Sequence, residues 1–465
     1  MEKREQATPE RFEGYVLGMT LPAERPSHKL GPWTATALVV GNIIGVGAFM
    51  VPVSLAPYGW GSLLGWAVTL TGALCLAWVF AVLSRHLPHS GGAMGIVREA
   101  FGSDVAFLNA WGYWVSVWVA NAVIVIGAVS YLGKLVPALD RSRPLSAITG
   151  VVLLWCFAAV NWRGVQTAGR VQLVTTILKM WPFIAAFIVA VMLLVNGGVA
   201  VVQPFDASQL TLGAAATTTT LTLYAMLGIE CAAVPSDAVE DPARVVPRAT
   251  MIGTIFSGLI IMLLCVSLVA FMPADTVAKS NAPLVEFVSL GLGDTAALLV
   301  SVAVVIAALG CLNGWVLLAG ETPTLMAEAG ELPAWWGVRN ARGAARNSAL
   351  VSTVLTSALV LLNGSSAFTG AFTFIVQLAT ATVLLIYILS PLAALKFMAR
   401  GRLPRSSLLS VASVGALVFA AVAVIGSGVP AVLWGTVLIG AGWPLYRVMQ
   451  RRSPAVDHPK NGSCL

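Results

Sequence analysis

Two ionisable side chains and one run of glycines are the places in this 465-residue chain where chemistry could reside. Glu230 is the only carboxylate well inside an apolar segment. A charge there costs roughly 2.5–3.5 kcal/mol on insertion scales, so it must face protein or water rather than lipid. It reads either as a protonated carboxyl that ties down an interrupted helix, or as a gate, proton carrier or pH sensor. Lys179 is the corresponding cation, nine residues beyond Arg170. At 1.5 Å per residue that is about 13–14 Å into its segment, near mid-depth of a hydrocarbon core about 30 Å thick. Its two readings are snorkelling to the nearer face and a buried role.

The glycines lie in Gly41 to Pro57, GNIIGVGAFMVPVSLAP. This run starts as an apolar helix, loses its side chains at Gly45 and Gly47, and resumes as an apolar run. Glycine weakens a helix, and in lipid an uncovered backbone N–H or C=O must face protein, a cavity or a ligand. A helix broken at mid-membrane offers carbonyls at one stump and N–H groups with a positive dipole end at the other, the latter suited to a carboxylate. Gly41 and Gly45 also form a G-x-x-x-G pair, which could simply be a close helix-packing face. A dinucleotide loop is excluded, since its third glycine would fall at Met50 and no strand precedes it.

Ser116 and Asn121, in and beside WVANAVIV, and Gln377 and Thr380 are buried polar groups that could bond a neighbouring helix or touch a substrate. Tyr224 and Trp315 could be packing or interface aromatics, or a clamp for an aliphatic stem or a cation. His28, His86, His89 and His458 all lie in tails or loops, so no intramembrane histidine relay exists. No Ser-His-Asp set, metal-ligand cluster or P-loop is visible, which argues against an enzyme, a cofactor and an ATP-driven pump.

The elements that must position these groups are membrane helices. The chain is 58% hydrophobic and 10% charged, with a mean hydropathy of +0.87. Soluble domains carry about 25% charged residues, so the expectation is an all-α polytopic membrane protein. Apolar stretches of spanning length fall at about 31–57, 61–83, 103–133, 143–161, 170–195, 212–234, 248–272, 294–318, 346–363, 367–392, 406–427 and 429–449, twelve in all. Of 27 lysines and arginines, only Lys134, Arg141, Arg143 and Lys279 fall on the side opposite the N-terminus, and Lys179 lies within a span. That bias places both ends in the cytoplasm and accounts for the net charge of +7 without nucleic acid. Residues 1–30 carry no apolar signal region, so the first span is expected to direct insertion. Five of the six cysteines, Cys75, Cys156, Cys231, Cys265 and Cys311, sit in apolar segments and Cys464 is near the end; none forms a C-x-x-C pair, so neither zinc nor a disulfide framework is indicated.

Segments 88–101 and 319–333, after spans two and eight, can each hold a short amphipathic helix on the membrane surface. Their spacing suggests a unit of five helices repeated once, which must then be inverted. Span six becomes the partner of span one, and Gly228, Glu230 and Pro235 interrupt it in turn. Paired interrupted helices in two inverted halves point to a transporter with its site between them. The expected divisions are a tail over 1–30, a first repeat over 31–195, a second over 212–392, two further helices over 406–449 and a tail over 450–465.

GNIIGVGAFMVP, SGGAMGIVREAFG, WVANAVIVIGAVSYL, LYAMLGIECAAV followed by EDPARVVPRA, and LNGWVLLAGETPTLMAEAGELP together resemble the amino acid–polyamine–organocation superfamily. The likeness spans about residues 30 to 450 and is greatest to the basic amino acid/polyamine antiporters. It implies a five-plus-five inverted-repeat fold with broken helices 1 and 6, and a homodimer. It further implies that Ile43, Gly45, Val46 and Gly47 cradle the substrate's carboxylate and amine. By the same likeness Tyr224 and Trp315 enclose the substrate, Glu230 is the acid of a proximal gate, and Asn121 meets the distal group. Val46, Val117 and Ala379 stand where the arginine exchanger has polar residues, which makes the distal pocket less polar. Lys179 stands where those exchangers have no cation; a lysine at this place is familiar in proton-coupled and cation-independent relatives of the fold.

The function expected is exchange of an amino acid for a related amino acid or amine across the inner membrane by alternating access. The alternative is a proton-coupled amino acid permease using Lys179, Glu230 or both. A channel would differ by lacking saturable counterflow, and a receptor would leave two interrupted helices unexplained.

Overall fold

A computed structural model describes residues 32–87, 92–163, 178–197, 202–230, 241–364 and 370–452. Arg170, the start of span five, Cys231, Pro235, Glu240, Cys464 and both tails lie outside the described residues, as does the second half of the expected break in span six.

Helices account for nearly all of the described chain, and its one β-bridge, Arg339 with Ala345, is isolated. They are α1 (Pro32–Ile43), α2 (Gly47–Leu55), α3 (Ser62–His86), α4 (Gly92–Phe101), α5 (Ser103–Leu135), α6 (Pro137–Arg141), α7 (Arg143–Asn161), α8 (Met180–Gly197) and α9 (Leu212–Ala225). Then come α10 (Pro242–Phe271), α11 (Ala274–Lys279), α12 (Pro283–Glu328), α13 (Asn347–Gly364), α14 (Ala371–Ala399), α15 (Ser407–Gly426), α16 (Gly428–Gly440) and α17 (Gly442–Arg452). Their starts follow from capping chemistry in the connections. Ser142, Thr211 and Ser406 accept the N–H groups of Leu145, Ala214 and Leu409 at the heads of α7, α9 and α15. Pro144 and Pro283 occupy first-turn positions of α7 and α12, where a missing N–H costs nothing.

Ten helical stretches among the described residues are long and apolar enough to cross a membrane, and one of them, Ala35–His86, takes in α1 to α3. The short α9 occupies the sixth expected span, so each of the twelve expected spans coincides with helix. The polytopic all-α reading therefore holds. One expectation is corrected. Residues 92–101 do form a separate helix, α4, but 319–328 continue α12 rather than starting a surface helix. The break in α12 comes earlier, at Gly293, whose φ of 76° a side chain would resist.

Burial separates the helices into an inner and an outer set. In its most apolar window α5 is 83% buried, against 28% for α7. The inner helix α5 packs along α12 and α14, while α3 packs against α9, α10 and α15. The outer set turns large apolar residues outward, such as Ile148 and Val152 on α7 and Phe187 on α8. On a membrane protein that face meets hydrocarbon. α9 is the exception in composition: its threonines Thr218, Thr219, Thr220 and Thr222 are all fully buried. Thr222 bonds Thr69 of α3 at 2.7 Å and Thr220 donates to the Ala423 carbonyl of α15 at 2.6 Å, so the hydroxyls are satisfied inside the bundle.

At the end of the bundle that carries α4, neighbouring residues Arg98 and Glu99 pair in opposite directions. Arg98 reaches Glu331, just past α12, and Glu99 reaches Arg402, just past α14.

Candidate substrate site

The chain leaves helical geometry between α1 and α2. The Ile44 N–H completes α1 by donating to the Val40 carbonyl at 2.9 Å, and the Gly45 N–H turns back to Ile43 at 2.9 Å. α2 then restarts with Ala48 donating to Gly45 and Phe49 to Val46. The amides of Val46 and Gly47 head this new helix, where N–H groups lack acceptors within the helix. Glycine is required here by close approach. A Cβ on Gly45 would lie 2.7 Å from Cys311 Sγ, and one on Gly47 would lie 2.9 Å from Tyr224 Cε1.

A small cavity opens against this break. Ile43, Gly45, Val46 and Gly47 form one side. Tyr224 at the end of α9 and Trp315 of α12 close two others, and Ala120 and Ile124 of α5 supply the apolar wall between them. Six of the residues singled out in the sequence are thus brought together.

Six others do not line it: Gln377 and Thr380 of α14, the latter donating its hydroxyl to the Val376 carbonyl at 2.9 Å, and Asn121, Ser116, Lys179 and Glu230. Asn121 donates from Nδ2 to the Trp315 carbonyl at 3.2 Å, bracing the segment that carries the tryptophan. Its Oδ1 is buried with no hydrogen-bond partner among the described residues. Ser116 spends its hydroxyl on the Tyr113 carbonyl of its own helix at 2.7 Å. Lys179 is fully buried and donates from Nζ to the Gly41 carbonyl at 2.7 Å. It does not snorkel; it caps the last turn of α1, where the helix dipole is negative and favours a cation. Glu230 lies beyond the turn at Gly228, and its Oε2 accepts the Tyr387 hydroxyl at 2.6 Å and the Gly228 N–H at 3.3 Å. Gly228 has φ of 109° and approaches the Asn42 backbone so closely that a Cβ would meet it at 3.2 Å.

Four participants escaped the sequence reading. Cys311 lines the cavity one helical turn before Trp315, and the i, i+4 relation to that tryptophan was the signal that could have found it. Ala120 and Ile124 flank Asn121 on the same segment but carry no chemistry of their own. Tyr387, the phenol on Glu230, sits in an apolar run of α14 with nothing in the sequence to tie it to that carboxylate.

The amino acid permease family model matches residues 30–446. The chain belongs to the amino acid permease family. It is 31% identical to a cadaverine/lysine antiporter of Escherichia coli (strain K12) over 349 residues, covering 72% of this chain and 75% of that one. It is 27% identical to a putative arginine/ornithine antiporter of Bacillus subtilis (strain 168), over 81% of this chain and 86% of the other. To the putrescine transporter PotE of E. coli K12 it is 28% identical, over 92% and 98% of the two chains. A permease of this family is a transporter rather than an enzyme. Its substrate is a small molecule.

Proposed function

We propose that this permease is a secondary transporter that exchanges an amino acid for a related amino acid or amine by alternating access. The observation that carries the reading is the cavity at the interrupted first span. One stump of that span offers carbonyls, the other offers amide N–H groups, and aromatic rings from two other spans close over the space. Such a pair of ends suits a zwitterion, with the amine at the carbonyl end and the carboxylate at the head of α2. Ile43, Gly45, Val46, Gly47, Tyr224 and Trp315 are the contact residues in this reading, with Asn121 and Ser116 supporting the wall behind Trp315. The names of the three relatives, each an antiporter or polyamine transporter, support exchange.

The proposed setting is the inner membrane, with both termini cytoplasmic, five-plus-five inverted repeats over 31–195 and 212–392, and a homodimer. The distribution of Lys and Arg supports the orientation. The test is counterflow: purified protein in liposomes preloaded with unlabelled amino acid should accumulate external label saturably. Flux that neither saturates nor responds to the preload would show a pore.

A specific observation also favours the proton-coupled reading. Lys179 binds the carbonyl end of the broken span, so loss or gain of its proton would act directly on the site. Net uptake driven by a pH gradient in empty liposomes separates this from obligatory exchange.

A further inference from the structure

We propose that Lys134 is the latch of a gate: by pairing with Glu286 and Asp140 it holds a lid, residues 274–292, over the end of the substrate path remote from α4, and these pairs must part for that end to open. The inference rests on the alternating-access reading and goes beyond it by naming the contact that sets one access state.

The path is closed on that side. Of α2, only Gly47 lines the cavity, and beyond it the helix enters a packed layer. The Phe49 ring meets Tyr131 of α5 edge-on at 6.5 Å and Phe183 of α8 at 5.0 Å, and all three are buried. Tyr131 donates its hydroxyl to the Phe49 carbonyl at 3.0 Å, and Ser301 of α12 donates to the Tyr131 carbonyl at 2.7 Å. Further along α2, Ser54 and Thr373 share a hydrogen bond of 3.2 Å, which joins this helix to α14.

The charged contacts lie on the same turn of α5. That helix starts beside α4 at Ser103 and ends at Leu135, so Lys134 stands at the far end of the bundle. Tyr131 and Lys134 are three positions apart and share a helix face. Lys134 Nζ is 3.2 Å from Glu286 Oε1 on the first turn of α12 and 3.7 Å from Asp140 Oδ2 of α6. Asn281, between α11 and α12, donates to Asp140 Oδ1 at 3.2 Å. The lid is therefore held twice, by Glu286 directly and by Asn281 through Asp140.

The lid itself is built to move as a piece. α11 packs against α2, and Leu284, Phe287 and Val288 are fully buried beneath the start of α12. Its far edge is Gly293, where φ is 76° and no atom lies within 4 Å of where a Cβ would stand, so a backbone change there meets no neighbour. The side chains of Lys134, Glu286 and Asp140 all remain partly exposed. Water can replace each ion pair as it parts, which suits a contact made and broken in every cycle.

The test is accessibility, read apart from transport. Ser54→Cys places a thiol in the closed part of α2, and its labelling above the parent's background is followed with a membrane-impermeant maleimide added from the lid side. Lys134→Met should speed that labelling at least fivefold, and Lys134→Arg should return it toward the slow rate. Equal rates with Lys134 and with Lys134→Met, both folded by their melting profiles, overturn the latch. Loss of counterflow in the parent would overturn the exchange reading instead; the labelling rates need no transport and judge the latch separately.

A second arm joins the two sides of the gate. Lys134→Cys combined with Glu286→Cys, bridged by a short bis-methanethiosulfonate, should lose counterflow at least tenfold and regain it on reduction, while the reagent leaves either single variant at its own untreated rate. Undiminished counterflow in the bridged protein would show that the lid need not part from α5, and overturns the proposal.

Discussion

Lys179 and Gly41 are joined by a 2.7 Å hydrogen bond from Nζ to the carbonyl oxygen, across 138 positions of the chain. The bond ties the segment before α8 to the last turn of α1, immediately ahead of the break that forms the cavity. It also satisfies a carbonyl that the broken helix leaves over. Any movement of α1 during alternating access must either carry Lys179 with it or break this bond.

Lys179→Met keeps much of the stem and removes the donor. We expect substrate to bind within about tenfold of the parent, because the lysine lies behind the cradle rather than on it, while net transport falls to background. Leaving the buried Gly41 carbonyl unpaired should also cost about 1–3 kcal/mol of stability. Binding by scintillation proximity and uptake in liposomes measure the two effects separately. Full transport in the methionine variant would reduce Lys179 to a packing residue.

The glycines of the break make a prediction through their neighbours. Gly45→Ala brings a Cβ to 2.7 Å from Cys311 Sγ, a contact that must shift something. Substrate affinity should fall at least tenfold. Cys311→Ala removes the obstructing sulfur, and the double variant should recover most of the loss, a coupling that a double-mutant cycle reads directly. Additive losses would mean that the two side chains do not meet in the binding state.

What could be read in the sequence, and what could not, divides along a physical line. Span positions were legible because a membrane helix needs a long apolar run. The interruption at Gly45 and Gly47 was legible because two glycines so close together weaken a helix that is otherwise apolar and unbroken. Tyr224 and Trp315 were visible as aromatics on the right spans. The partners of the charged residues were not. Nothing local ties Glu230 to Tyr387 of α14 or Lys179 to Gly41, since both contacts are set by how distant helices pack. Cys311 was hidden for another reason: a thiol in an apolar run looks like core. The continuation of α12 through 319–328 was missed because the same amphipathic pattern serves a surface helix and a helix that leaves the bundle without stopping.

Trp315 offers a test of the aromatic wall that leaves the backbone contact in place. Asn121 binds the carbonyl of this residue, not its ring, so that bond persists in any substitution. Trp315→Leu should therefore report the ring alone and weaken transport several-fold, as expected for an aromatic contact of about 0.5–2 kcal/mol. Trp315→Phe should recover part of it. Equal kinetics for all three would leave the ring as packing.

The last prediction concerns Glu331, outside the apolar spans, where its side chain is 6% exposed and paired with Arg98. Burial pushes its carboxyl above the ordinary value of 4.5, and the Arg98 guanidinium offsets only part of that rise. The native protein therefore holds the proton of Glu331 to higher pH than the unfolded chain does. The resulting stability is full below about pH 4.5, the unfolded value, and is lost as pH rises through the raised folded value. Each pH unit of displacement corresponds to about 1.4 kcal/mol. Glu331→Gln has no proton to lose, so its melting temperature minus that of the parent should grow more positive as pH rises from about 4.5 and level off above the folded value. Thermal unfolding in detergent at half-unit pH intervals measures this difference. A difference that stays constant with pH would show that Glu331 titrates alike in the folded and unfolded chains, and that Arg98 fully compensates its burial.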